Sequence, residues 1–157
     1  MPFLYLIISL IVVLADQGLK SYIASNYQLG EIHNIIPGLF SFNYLQNPGA
    51  AWNILMGQMW FFYIISLIAI GVCSYFLWSK RYRKPLLQTG LAFVLGGIIG
   101  NFIDRLHLKY VIDMIQLDFL NFNIFNLADF AITIGVILIM IYLLFFDDKT
   151  RTKERKE

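Results

Sequence analysis

The sequence predicts an α-helical integral membrane protein: four transmembrane helices carrying a small β-sheet cradle on the outer face. Three observations predict it. Of 157 residues, 59 per cent are apolar and only 14 per cent charged, whereas a soluble domain carries roughly 25 per cent charged residues. The apolar residues gather in runs long enough to cross ~30 Å of hydrocarbon. Nine of the twelve basic residues fall on two flanks that four spans would place on one side of the membrane. The same numbers exclude disorder, since the chain holds 14 Phe, 9 Tyr and 3 Trp.

The first span covers about residues 3–23 and is interrupted by Asp16, Gln17, Gly18 and Lys20. It lacks a basic leading region, a lipobox Cys and a small-x-small cleavage site ahead of Asp16, so it reads as a retained span rather than a signal peptide. An outer segment follows at about 27–58. Within it Leu39 to Leu45 alternates polar with apolar or aromatic residues, between Pro37-Gly38 and Asn47-Pro48-Gly49, which predicts strands joined by turns. The second span, 59–78, has no charge. Spans three and four cover about 86–104 and 129–146, and between them Phe119 to Phe125 alternates like a further strand. No repeat or Gly/Ser linker divides the chain, which predicts a single domain over residues 1–157.

Orientation follows from Lys and Arg in short flanks. Lys80, Arg81, Arg83 and Lys84 lie between spans two and three, and the tail 147–157 holds five more basic residues. Both termini are therefore expected in the cytoplasm, with the tail anchoring to anionic lipid. A net charge of +2 gives no reason to expect a nucleic-acid partner. One cysteine, Cys73, excludes an internal disulfide, and two scattered histidines argue against a His-rich metal site.

Ionisable groups within a membrane are costly and mark candidate sites. Asp16 and Lys20 share one helix face, and Asn101, Asp104 and Arg105, at i, i+3 and i+4, share another. Asn126 and Asp129 open span four. The rise of ~1.5 Å per residue brings all of these into the outer third of the membrane. Asp113 lies in Tyr110-Val-Ile-Asp-Met-Ile115, an apolar stretch expected to fold back against the membrane at the depth of Asp129.

Structural readings compete with chemical ones. Asp16 with Lys20 forms a salt bridge that helps a polar span insert. Asn126 with Asp129 forms a helix cap. Gly96, Gly97 and Gly100 serve helix packing. Asp118 is solvated, Cys73 is lipid-facing or core, and His33 and His107 sit at the interface without nameable partners. Asp113 has no such explanation. Two carboxylates in one dry site hold a single proton between them, which suits peptide hydrolysis without a metal but also suits proton relays. Three classes stay open on the residues alone. They are a peptidase, a proton-coupled transporter or channel subunit using Asp16, Asp104 and Asp129, and a membrane scaffold; Ser66 and Thr133 are almost the only polar groups at mid-membrane in spans two and four.

Five ordered motifs narrow the choice: Asp16-Gln17-x-x-Lys20, Asn47-Pro48-Gly49-Ala50-Ala51-Trp52, Gly96-Gly97-x-x-Gly100-Asn101-x-x-Asp104-Arg105, Val111-x-Asp113 and Phe125-Asn126-x-Ala128-Asp129. Over nearly its full length the chain closely resembles bacterial lipoprotein signal peptidase, or signal peptidase II. The resemblance implies a membrane aspartyl endopeptidase of the bacterial cytoplasmic membrane. Such an enzyme removes the signal peptide of prolipoproteins on the amino side of a diacylglyceryl-modified Cys, by water activated on a carboxylate dyad. Carried over by motif, Asp113 and Asp129 are the dyad. Asn47, Asn101, Arg105 and Asn126 hold substrate and dyad, and Asp16 supports the site. Lipid-modified prolipoproteins and membrane lipid are the implied partners, with no cofactor or metal, the enzyme acting as a monomer with its site near the outer leaflet. Trp52 and Met114 stand where the family often has Phe.

Overall fold

The computed structural model describes residues 2–49 and 55–146. Ala50, Ala51 and Trp52 of the second motif, and the basic tail 147–157, lie outside the described residues. Four helices are long and apolar enough to cross a membrane: α1 (Pro2–Asn26), α2 (Met59–Trp78), α3 (Pro85–Leu108) and α4 (Leu127–Phe145). Among the described residues there are three strands: β1 (Ile32–Ile36), β2 (Phe40–Asn47) and β3 (Val111–Leu117).

Helix α3 is the central one. Of its most apolar stretch 56 per cent is buried, against 22 per cent in each of the other three. It packs on α4, α1 and α2, and small residues make this possible. A β-carbon on Gly97 would collide with the Ala128 carbonyl of α4, and one on Gly100 would stand 2.6 Å from the Asp16 carboxylate of α1. These glycines do serve close packing. Away from the sheet, Cys73, Leu77, Leu87, Leu91, Leu95 and Tyr142 form an apolar core, which places Cys73 in the core. There the buried Gln88 amide donates to the carbonyls of Phe76 and Tyr82 and ties the α2–α3 connection to the bundle.

The sheet is antiparallel in the order β1-β2-β3. Pro37-Gly38 makes the first reversal, with Gly38 at φ 76° and Leu39 N–H donating to Ile36 C=O, the arrangement of a turn with Pro and then Gly at its centre. One face packs Tyr44, Ile112 and Met114 on Ile23 of α1. The other face carries Asn47 and Asp113.

Two expectations need correction. The third strand is Val111–Leu117, not Phe119–Phe125; the latter contributes one bridge, Phe125 with Ile115. Alternation fails as a guide there because Val111 to Met114 are buried on both faces of the sheet. Asp118 is exposed, as expected, and in addition accepts from the Ser41 hydroxyl at 2.8 Å while its N–H donates to Leu39 C=O. His33 also has partners: it bonds the Glu31 carboxylate at 2.6 Å and its ring lies 4.6 Å from that of Tyr27.

Candidate active site

Asp129 is placed by the cap of α4. Its N–H donates to Asn126 Oδ1 at 2.9 Å, and the Asn126 N–H returns a bond to Asp129 Oδ2 at 3.3 Å, a capping box. The cap thus holds the Asp129 side chain in one orientation. Asp113 is placed by the sheet, opposite Leu45 in the β2–β3 register. Asn47 reaches it diagonally, Nδ2 to Asp113 Oδ2 at 3.0 Å. The Asn47-Pro48-Gly49 sequence explains that direction: Gly49 N–H donates to Asn47 Oδ1 at 2.9 Å, so the amide nitrogen points away to Asp113.

Asn126 joins the two acids. Its Nδ2 donates to Asp113 Oδ1 at 2.6 Å while its Oδ1 accepts from Asp129 N–H. Asn101 Nδ2 donates to Asp129 Oδ1 at 2.7 Å. Burial, and then the negative charge of Asp129, push the Asp113 carboxyl up to about 7, because a dry site with two acids disfavours ionising both.

Both acids open on a cavity of about 1110 Å³, together with Asn47, Asn101 and Arg105. The Arg105 guanidinium lies 4.6 Å from the Phe62 ring centre and donates to the Gly49 carbonyl at 3.3 Å. Its buried Nε has no hydrogen-bond partner among the described residues. Beyond the acids the cavity runs along β3 to Asp118 and the segment from Phe119 to Phe125.

Asp16 and Asn126 are buried behind the cavity wall rather than lining it. The Asp16–Lys20 salt bridge forms, at 2.9 Å, but Lys20 also meets Asp104 at 2.9 Å. Sequence reasoning missed Gln17, whose Nε2 lies within bonding distance of Asp16, Asp104 and the Gly100 carbonyl. Its signal is its place in the Asp16-Gln17-x-x-Lys20 motif, which names the residue without giving it a partner.

Four apolar helices with two bridged carboxylates beside a sheet-lined cavity define a multi-pass membrane protein built around an acidic pair. The sequence model of the signal peptidase (SPase) II family matches residues 8–145. A lipoprotein signal peptidase of Lactobacillus gasseri is 64% identical over 93% of this chain and 95% of its own length, and one of Enterococcus faecalis 48% identical over 97% and 93%. Two solved structures, each of a bacterial membrane enzyme, share 38% of the sequence. The first has a TM-score of 0.86 over 89% of this chain and 87% of its own, the second 0.84 over 90% and 93%. The chain belongs to the signal peptidase II family and is a membrane peptidase, which sets aside the transporter and scaffold readings.

Proposed function

We propose that residues 1–157 form one membrane-embedded aspartyl endopeptidase domain that cleaves diacylglyceryl-modified prolipoproteins on the amino side of the lipidated Cys. Asp113 and Asp129 form its dyad. The observation that carries this reading is the pair itself: two carboxyls bridged by Asn126, whose Nδ2 donates to Asp113 and whose backbone N–H donates to the Asp129 carboxyl, both facing one cavity, with Asp113 raised to about 7. In the reactive form of the pair Asp113 holds the shared proton and Asp129 is the ionised member.

Asp129 then takes a proton from water, and the water oxygen adds to the scissile carbonyl carbon. Asp113 gives its proton to the carbonyl oxygen as the tetrahedral intermediate forms. Collapse breaks the C–N bond: the proton gained by Asp129 leaves on the amine, and Asp113 takes back a proton from a hydroxyl of the intermediate as the carbonyl re-forms. One water is consumed, and the pair returns to one shared proton. Asn47, Asn101 and Asn126 fix the acids, and the free edge of Arg105 serves a substrate carbonyl. The sheet-bearing end faces outward in the bacterial cytoplasmic membrane, both termini lie inside, and the enzyme works as a monomer. The substrate's lipid and signal helix approach from the bilayer.

The experiment is cleavage of a diacylglyceryl-modified prolipoprotein by purified Asp113→Asn, Asp129→Asn and double variants. Each single change should lower turnover by several orders of magnitude, and the double should be scarcely worse, because groups acting as a unit are non-additive. Asp118→Asn, five residues and so about 16 Å along the strand from Asp113, should cleave nearly normally. A folded Asp113→Asn or Asp129→Asn protein working at the parental rate refutes the dyad.

A further inference from the structure

Lys20 does not line the cavity, yet each bond it makes leads to one of the two acids. Its side chain is 2 per cent exposed, and its three N–H groups have three partners, Asp16 Oδ2, Asp104 Oδ2 and Asn101 Oδ1, each at 2.9 Å. Each partner passes the contact on. Asp16 Oδ1 accepts the N–H of Ala128, the residue before Asp129, at 2.9 Å. Asp104 Oδ2 accepts the N–H of Ile112, the residue before Asp113, at 3.1 Å. Asn101 carries the third bond directly to the Asp129 carboxylate.

The third link also has a polarity. Asn101 Oδ1 accepts from Lys20 and, at 3.1 Å, from Asn126 Nδ2, so both of its lone pairs are engaged and its amide nitrogen must face Asp129. Turning the amide over would set donor against donor at Lys20 and Asn126, and acceptor against acceptor at Asp129. A positive charge two bonds away thereby strengthens the hydrogen bond that favours ionised Asp129.

We propose that Lys20 is a positioning residue of the dyad. One buried ammonium registers the backbones of both aspartates through Asp16 and Asp104, and orients the Asn101 amide that keeps Asp129 a hydrogen-bond acceptor. The proposal rests on Asp113 and Asp129 being the catalytic pair. The competing account, an ion pair that only lets α1 insert, requires nothing of turnover once the protein is folded. A tetrahedral ammonium suits three acceptors around one point, whereas a planar guanidinium does not.

The test uses full-length protein in detergent micelles with a fluorogenic, diacylglyceryl-modified prolipoprotein peptide. Lys20→Arg keeps the charge between Asp16 and Asp104. The folded variant should lose about tenfold or more in kcat, the loss of one hydrogen bond to a charged group, with KM within about twofold. The acid limb of its pH–rate profile should move upward by about one unit. Asn101→Ala should move the limb the same way, and adding Lys20→Arg to it should move it no further. A parental kcat and profile in Lys20→Arg, or a second full shift in the double variant, overturns the proposal.

Should Lys20→Arg fail to fold, the triple change Lys20→Met, Asp16→Asn, Asp104→Asn removes the buried charges together. It should fold with kcat down about a hundredfold or more, and parental turnover there overturns the proposal equally. Asp113→Asn and Asp129→Asn, run beside these, separate the two ideas: if they cleave, the dyad itself is wrong. If they are dead while folded Lys20 variants match the parent, only the role of Lys20 is lost.

Discussion

Replacing Asp113 by Asn should make the protein inactive and, above neutral pH, more stable. Burial lifts the Asp113 carboxyl from its ordinary 3.8 to about 7, so between those values the native state keeps a proton that the unfolded chain has released. Unfolding therefore liberates that proton, and raising the pH through this window draws the equilibrium toward the unfolded state. The shift of roughly three units corresponds to about 4 kcal/mol, of which about 3 kcal/mol accrues between pH 5 and pH 8.5. Asparagine carries no such charge. Its amide nitrogen must face a donor, Asn47 or Asn126, which costs about 1 kcal/mol at all pH values. The assay is thermal unfolding of parent and Asp113→Asn in the same micelles across that range, in which titrations common to both proteins cancel. The variant should begin near or below the parent at pH 5 and finish roughly 6–12 °C higher, relative to it, at pH 8.5. Parallel curves would refute the raised proton affinity, and with it the assignment of Asp113 as the resting proton holder.

Gly97→Ala, whose β-carbon would meet the Ala128 carbonyl and come within 2.6 Å of Ile132 Cγ1, should destabilise by about 2 kcal/mol or more, read as a lower midpoint. Gly18→Ala has nothing within 4 Å and should instead stabilise α1 by up to about 1 kcal/mol. Arg105→Lys retains the charge but loses the planar group over Phe62 and the fork facing the cavity, so cleavage should drop about tenfold or more; near-normal cleavage would reduce Arg105 to a source of charge. For topology, Cys at Glu31 and at Lys84, each in a Cys73→Ala background, should label oppositely with an impermeant thiol reagent on intact cells. Equal labelling contradicts the orientation.

The four helices were legible because hydrophobic runs respond to the solvent around them, which is a local property. Asn126 and Asp129 were legible as a cap for the same reason, their spacing being enough to close the box. The third strand was hidden. Val111 to Met114 are covered on both faces, so no period of two survives in the sequence, while Phe119 to Phe125 alternates without pairing along its length. The links from Lys20 to Asn101 and Asp104 cross between α1 and α3, over 81 residues in the first case. Sequence showed the lysine's neighbour at i−4 and nothing of the partners that packing supplies. Gln17 stands in the first motif, but an amide beside an acid has no spacing that names its partners on α3.

The contact between Asp16 and the Ala128 N–H spans 112 residues, and it carries a consequence for how the enzyme is made. Helix α1, made early, supplies the acceptor, and α4, made after α2 and α3, supplies the group that it fixes. Asp113 awaits pairing of its strand with a hairpin translated long before. If Asp113 and Asp129 are the dyad, a chain caught part-way through insertion holds them on separate, unregistered segments and should not cleave peptides. On the proposed dyad, the site is therefore armed only when α4, the last of the four described helices, has docked against α1.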